Sequence, residues 1–287
     1  MNLRMQYARP RNLEQATALM DALGTGTMVI AGGQELMPHL NYGRISPSVF
    51  LDVSGLSELR GVEETAEGVS IGALTVHRQI QTDPIISKSL PLLAYAAKQI
   101  GGGRQVHNQG TIGGNIVAMH PLYDIIPSLV ALGARVEIAG CEAIEIIPLA
   151  KLLTEASYQL GAKELLTRII VPPMDSAHSW AYKKLKITTG SYSSANAVAI
   201  VDSAEDLNVR LVVGAVTELP IDLTESLAAE MKNSPNSELG VQIETACNAA
   251  VTDPISDQRG HGEYRKAMAG VVAKRAVNAA IEKLEAK

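Results

Sequence analysis
An apolar run over residues 27–31 leads directly into a glycine pair, and a second pair stands far downstream among polar residues. Ile30-Ala31-Gly32-Gly33-Gln34-Glu35-Leu36-Met37 and Gln109-Gly110-Thr111-Ile112-Gly113-Gly114-Asn115 therefore mark two places where the backbone turns tightly. Glycine has no Cβ to hold a ligand away, so each segment offers consecutive N–H groups that can approach a phosphate closely. The first matches neither GxGxxG nor GxxxxGK[ST], which argues against Rossmann and Walker sites, and a lone Gly-Gly after a strand is most simply a tight turn. Two such segments in one chain suggest the two halves of one dinucleotide site.

The surrounding pattern alternates. Asn12 and Gln15 resemble a capping box, and Ala16, Leu19, Met20 and Leu23 share one helix face that Gly24 would end. Residues 27–31 read as a buried strand, 36–40 as a helical turn and 49–53 as a second strand. The first glycine pair thus lies at a strand's carboxyl end, where open α/β sheets hold ligands. Further on, Val69, Ile71 and Ala73 alternate as in a half-buried strand, and residues 75–81 look helical. Leu92, Leu93, Ala96, Ala97 and Ile100 form a helix face ending at Gly101-Gly102-Gly103. A helix is expected over 125–132 and strands over 135–139, 144–147 and 165–171, the last stopping at Pro172-Pro173, the best linker candidate. Beyond it, 180–185, 197–202 and 209–216 read as strands, with a hairpin-like connection at 206–208. Residues 221–232, 239–250 and 262–284 read as helices. Strands followed by helices predict an α+β layout.

A chain of 287 residues exceeds the usual size of one domain, so two domains or three subdomains are expected. A net charge of -5 with a pI near 5.7 gives no general attraction for nucleic acid or an anionic membrane. Cys141 and Cys247 are the only cysteines and form no CxxC, so no metal cluster is expected on this chain. His39, His77, His107 and His120 are scattered without HExxH spacing, and no GxSxG elbow occurs. The first residues lack an apolar signal segment and no run reaches the ~18 apolar residues of a membrane span, so a cytoplasmic protein with no integral membrane segment is expected.

Ala31-Gly32-Gly33-Gln34-Glu35-Leu36 resembles an AGGxSL motif and Thr111-Ile112-Gly113-Gly114-Asn115 a TIGGN motif. Ile71-Gly72-Ala73-Leu74-Thr75, Asn108-Gln109-Gly110, Pro121-Leu122-Tyr123-Asp124, the strand over 164–172 and Tyr182-Lys183-Lys184-Leu185-Lys186 follow in matching order. This set resembles the FAD-binding medium subunit of molybdenum hydroxylases, the family of the carbon monoxide dehydrogenase flavoprotein and the flavin domain of xanthine dehydrogenase. The resemblance covers nearly the whole chain. It implies an α+β protein: a two-subdomain FAD-binding domain of the vanillyl-alcohol-oxidase (PCMH) type, with subdomains over 1–55 and 56–173. A C-terminal α+β domain over 174–287 would follow, with a three-stranded antiparallel sheet and a helical bundle.

The same resemblance assigns cofactor contacts. Ile30, Ala31, Gly32, Gly33, Gln34, Glu35 and Leu36 would form one side of the FAD site and Gly110, Thr111, Ile112, Gly113, Gly114 and Asn115 the other. Backbone amides of 32–35 and 112–115 would meet the pyrophosphate, and a Cβ added at Gly33 or Gly114 would push toward it. Asp124 matches an acidic residue that accepts hydrogen bonds from the ribose or adenine end, or else is simply a helix N-terminal charge. Ile169 lies in the matching strand. Lys184, with Lys183 and Lys186 as competitors, would stabilise negative charge on the reduced flavin. Tyr192 would cover one flavin face, unless it is a strand-packing tyrosine. Two positions depart from the family pattern. Glu35 replaces a serine and would oppose a phosphate unless it points away or pairs with a cation such as Arg104, and His107 replaces an arginine.

The implied function is an FAD electron-transfer oxidoreductase subunit with no catalytic residue of its own for substrate. Molybdopterin would lie on a large partner subunit and two [2Fe-2S] clusters on a small one, in a heterotrimer or its dimer. A stand-alone flavin oxidoreductase of the same broad fold and a non-catalytic flavin-binding scaffold are the alternatives.

Overall fold
The computed structural model describes residues 5–154, 160, 163–202 and 207–286. The chain divides into two compact units, each assembled from three stretches: Met1–Ser87, Gly103–Ala118 and Gly133–Pro172 in the first, Lys88–Gly102, Met119–Leu132 and Pro173–Lys287 in the second.

The first unit opens with a capped helix. The Asn12 carboxamide accepts the Gln15 N–H at 2.9 Å, and Gln15 Oε1 accepts the Arg11 N–H at 2.7 Å, which starts Leu13–Leu23. Ala16 and Met20 on its inner face join Leu51, Val53, Leu56 and Leu59 in a small core. Beside that core lies a parallel sheet in the order Gln6–Ala8, Val49–Asp52, Thr27–Ile30. Thr27–Ile30 is an edge strand, and its carboxyl end delivers the first glycine pair. A second sheet is antiparallel, in the order Val62–Thr65, Gly68–Gly72, Leu165–Val171, Arg135–Ala139, Ile144–Pro148. Its central strand, Leu165–Val171, is buried at every position but Arg168, with an apolar pair before Thr167 and an apolar triplet after Arg168.

The second unit is built on one antiparallel sheet, ordered Ile221–Asp222, Asn208–Gly214, Ala195–Asp202, Ser179–Leu185. The helix Gly262–Glu285 lies across it, with Ala269, Val272, Ala273, Ala276, Val277 and Ala280 fully or almost fully buried. Their i, i+3, i+4, i+7 spacing makes one stripe, and the small side chains let helix and sheet approach closely. Helices Thr224–Asn233 and Leu239–Ala250 extend this layer, while Pro91–Gln99 and Ile125–Ala131 also contact the sheet. No helix among the described residues is long and apolar enough to cross a membrane.

All three strands expected after residue 174 are present, and the sheet has a fourth. Ile221–Asp222 pairs with Asn208–Gly214, so the helix expected from residue 221 begins at Thr224 instead. Two residues of ladder leave no periodicity to read. The connection expected at 206–208 begins outside the described residues. Around the second glycine segment the chain is more helical than its composition implies: Gly103–Gln109 and Ile112–Ala118 are helices despite their glycines.

Candidate cofactor site
The two glycine segments meet in the first unit. A Cβ built on Gly32 would stand 1.8 Å from the Gln109 carbonyl oxygen and 3.2 Å from Gly110 Cα, so only glycine permits this approach. Gly33 has φ +66, a left-handed conformation that disfavours any side chain. The bend turns successive amides outward: the N–H groups of Gly32, Gly33 and Gln34 donate to no acceptor among the described residues. Gln34 Nε2 donates to Gly32 O at 2.9 Å and braces the turn. Leu36 begins the short helix Leu36–Asn41, while Ile30 and Ala31 form the apolar approach to it.

The second segment is docked differently. Ile112 N–H donates to Thr75 O at 3.0 Å, Gly113 N–H to Ala73 O at 2.9 Å and Asn115 N–H to Thr111 O at 3.0 Å. Gly114 N–H donates to Thr111 Oγ1 at 3.1 Å. The amides expected to face a pyrophosphate at 112–115 are therefore engaged within the chain, because this segment starts a helix and is tied to the turn that follows the strand Gly68–Gly72. What it offers is side chain: the Thr111 hydroxyl and Asn115, whose Oδ1 is buried without a hydrogen-bond partner. Direction also differs from expectation at the glycines. A Cβ on Gly33 would meet Met37 Cγ at 3.2 Å and Ile30 Cδ1 at 3.6 Å, and one on Gly114 would meet Thr111 Oγ1 at 2.9 Å.

Glu35 pairs with His39 Nε2 at 2.9 Å, one helical turn onward. His107 Nδ1 lies 3.0 Å from Gln81 Nε2. His77 sits under the second segment: its N–H donates to Gly110 O at 3.0 Å, and its Nδ1 is buried without a hydrogen-bond partner. Burial, with His107 nearby, lowers its pKa to about 4 and keeps the ring neutral. Ile169 is wholly buried at the centre of its sheet, opposite Ile71 and Val136.

The second unit gathers Asp124 and Lys184, with Tyr192 adjoining the same network. Asp124 Oδ1 accepts Tyr182 OH at 2.6 Å and Ser193 Oγ at 3.1 Å, while Oδ2 accepts Lys184 Nζ at 2.9 Å. Lys184 also donates to Gln99 O at 3.0 Å. Both charged groups are nearly inaccessible, with side chains 3% and 4% exposed for Lys184 and Asp124. Burial pushes the Asp124 pKa upward, and the lysine and hydroxyl donors only partly offset it. Tyr182 is held well above its ordinary range by burial and by the Asp124 charge. Asp124 precedes the helix Ile125–Ala131 but makes no capping bond to it, since its oxygens face Tyr182, Ser193 and Lys184. Tyr192 stacks on His120 with centroids 5.1 Å apart and planes 17° from parallel, and the Arg259 Cζ lies 5.0 Å from its ring centre.

Sequence reading passed over Tyr182 as an Asp124 partner, Ser193 and Arg259, and named His77 only among the scattered histidines. Tyr182 and Ser193 reach Asp124 from 58 and 69 residues away, which no local pattern records. One signal was legible: Arg265 falls on the apolar stripe of Gly262–Glu285, and a charge there requires buried partners.

The residues fit an FAD pyrophosphate, since outward amides at a left-handed glycine form an anion-binding concavity needing neither lysine nor magnesium. A family model described as the FAD binding domain in molybdopterin dehydrogenase matches residues 3–174. The chain belongs to that family. The molybdopterin dehydrogenase match continues with a CO dehydrogenase flavoprotein C-terminal domain over residues 180–280. The carbon monoxide dehydrogenase medium chain of Hydrogenophaga pseudoflava is 32% identical over 96% of this chain and 97% of its own length. A glyceraldehyde dehydrogenase medium chain of Sulfolobus acidocaldarius is 31% identical over 94% of this chain and 96% of its own. A solved carbon monoxide dehydrogenase from H. pseudoflava superposes with a TM-score of 0.88 at 32% identity, covering 97% of this chain and 98% of that one. The protein is thus an oxidoreductase subunit of the FAD-binding medium-chain type, and FAD is its cofactor.

Proposed function
We propose that this chain relays electrons within a heteromeric molybdenum hydroxylase, from [2Fe-2S] clusters on a small partner subunit through FAD to an external acceptor. In that reading molybdopterin and substrate oxidation belong to a large partner subunit, and the particle is a heterotrimer or its dimer. The observation that supports it most is the contact between the two glycine segments, with outward amides at Gly32, Gly33 and Gln34, in a chain that matches medium chains nearly end to end.

FAD, when bound, supplies a redox group that accepts electrons singly and releases them singly or in pairs. The chain's own residues bind and orient. Gly32, Gly33 and Gln34 would donate amides to the pyrophosphate, with Thr111 Oγ1 and the Asn115 side chain as polar neighbours. His39 draws the Glu35 carboxylate along its helix and limits repulsion of the phosphates. Tyr192 is the residue we assign to the flavin ring. Asp124, by accepting from Ser193 next to it, anchors that tyrosine's backbone, and Lys184 balances the buried carboxylate.

Native purification tests this directly, with flavin extraction, molybdenum and iron analysis and subunit composition on one sample. FAD at one per chain, together with molybdenum, iron and two further polypeptides, is the expected result. A preparation lacking FAD would sink the proposal. FAD on a chain that purifies without metal-bearing partners and turns over a small substrate would replace it with a stand-alone oxidoreductase.

A further inference from the structure
Nine methionines occur in the chain, and among the described residues only Met5 and Met37 are exposed, 48% and 37% respectively. Their surroundings differ. Met5 stands just before the edge strand Gln6–Ala8, away from any glycine turn in sequence. Met37 lies in the first turn of the short helix Leu36–Asn41, which folds back on the first glycine pair.

The contact with that pair is close. The Met37 N–H donates to Gly33 O at 3.0 Å, which closes the turn. A Cβ on Gly33 would stand 3.2 Å from Met37 Cγ and 3.6 Å from Ile30 Cδ1, so the thioether arm lies with Ile30 against the left-handed glycine. On the same turn the N–H groups of Gly32, Gly33 and Gln34 donate to no acceptor among the described residues. An exposed, oxidisable sulfur is thus bonded to the carbon that packs on the turn presenting those three donors.

A thioether needs no deprotonation to react with a peroxide. Its sulfur lone pair attacks one peroxide oxygen, the O–O bond breaks, and the other oxygen leaves as water. The thioether and hydrogen peroxide become sulfoxide and water, sulfur losing the two electrons that the peroxide gains. The product replaces an apolar arm with a polar group whose oxygen accepts hydrogen bonds strongly. Beside this turn the new oxygen has two effects: it disturbs the packing of Met37 on Gly33 and Ile30, and it competes for amides otherwise directed to a phosphate.

We propose that Met37 is an oxidation site through which hydrogen peroxide weakens the chain's hold on FAD. The inference rests on the reading that the first glycine turn meets the FAD pyrophosphate. Reduction of the sulfoxide by methionine sulfoxide reductases restores the thioether, so the loss is reversible.

The test uses the purified FAD-containing complex as wild type, Met37→Leu and Met5→Leu. Each is treated with hydrogen peroxide and quenched with catalase, sulfoxide at both positions is measured by peptide mass spectrometry, and FAD release is followed after desalting. Oxidised wild type should release FAD about tenfold faster than untreated protein, the factor that one net hydrogen bond provides. Met5→Leu should behave as wild type. Met37→Leu, a swap of similar volume, should keep its FAD although Met5 is oxidised. Met37→Gln, a polar stand-in for the sulfoxide, should release FAD faster without peroxide, and sulfoxide reductases should restore retention in oxidised wild type. Met37 left unmodified while Met5 reacts, or Met37 sulfoxide with unchanged FAD release, overturns the inference. So does Met37→Leu losing FAD as fast as wild type under peroxide. In each case a Gly32→Ala complex that has lost its flavin leaves the placement of the pyrophosphate standing. Full FAD retention in both Gly32→Ala and Gly33→Ala overturns that placement and the inference with it.

Discussion

Gly32 and Gly33 adjoin in sequence, yet they are glycine for different reasons. At Gly32 the neighbouring segment occupies the space a Cβ needs, so Gly32→Ala must force Gln109 away. We expect FAD content to fall at least tenfold, read as the flavin-to-protein ratio, with a stability loss of about 1–3 kcal/mol from overpacking. At Gly33 the space is less crowded but φ is +66, so Gly33→Ala should cost ~1–2 kcal/mol of backbone strain and lower the flavin ratio less than Gly32→Ala does. Equal retention of flavin in both would remove the cradle from this turn. His77 makes a prediction in pH. Its pKa drops from 6.5 in the unfolded chain to about 4 in the fold, so folding favours the neutral ring. The contribution is fully present above pH 6.5 and is lost as pH falls toward 4, by about 3 kcal/mol in all at ~1.4 kcal/mol per unit. Urea unfolding of wild type and His77→Asn at pH 7, 5.5 and 4.5 should show the variant losing less stability across that range.

At the level of elements, the parts that announce themselves are those whose periodicity is local. The helix at Leu13–Leu23 and the strands at Thr27–Ile30, Leu165–Val171 and Ser179–Leu185 fall near their expected bounds, because capping, apolar runs and alternation are all written in adjacent residues. Gln6–Ala8 and Ile221–Asp222 escape notice since three or two residues carry no period, and their ladders depend on distant partners. The candidate site divides in the same way. Both glycine segments are legible, and so is the order of motifs that reveals the family. Their unequal use of amides is not, because it depends on Thr75 and Ala73 pairing with the second segment alone. Asp124 and Lys184 are legible as residues but not as a pair. Breaking that pair should be costly: Lys184→Met leaves a buried carboxylate uncompensated and should destabilise by ~3–5 kcal/mol, while Lys184→Met with Asp124→Leu should recover part of the loss. A thermal-denaturation cycle on the two single variants and the double variant measures the coupling, and additive losses would mean the pair is not coupled. Along Gly262–Glu285, Ala273→Leu should cost ~1–3 kcal/mol, since the stripe has no room for a larger side chain.

For the whole molecule, the division into units does not follow the chain. The sheet of the second unit is completed by helices Pro91–Gln99 and Ile125–Ala131, which precede it by many residues. A fragment beginning at residue 174 lacks both and would expose the apolar side of that sheet, so we expect it to be insoluble or to show no cooperative melting by circular dichroism. A soluble fragment with a sharp transition would contradict this. The same interleaving has a consequence on the ribosome. Leu92, Leu93, Ile125, Ile126 and Leu129 are buried in the finished protein, but the strands they pack on are translated later, and the Gly262–Glu285 helix that backs those strands comes last. At ~5–20 residues per second these side chains wait on the order of 10 s or more before their partners emerge. During that interval the nascent chain presents two apolar helices whose partner strands have not yet been made.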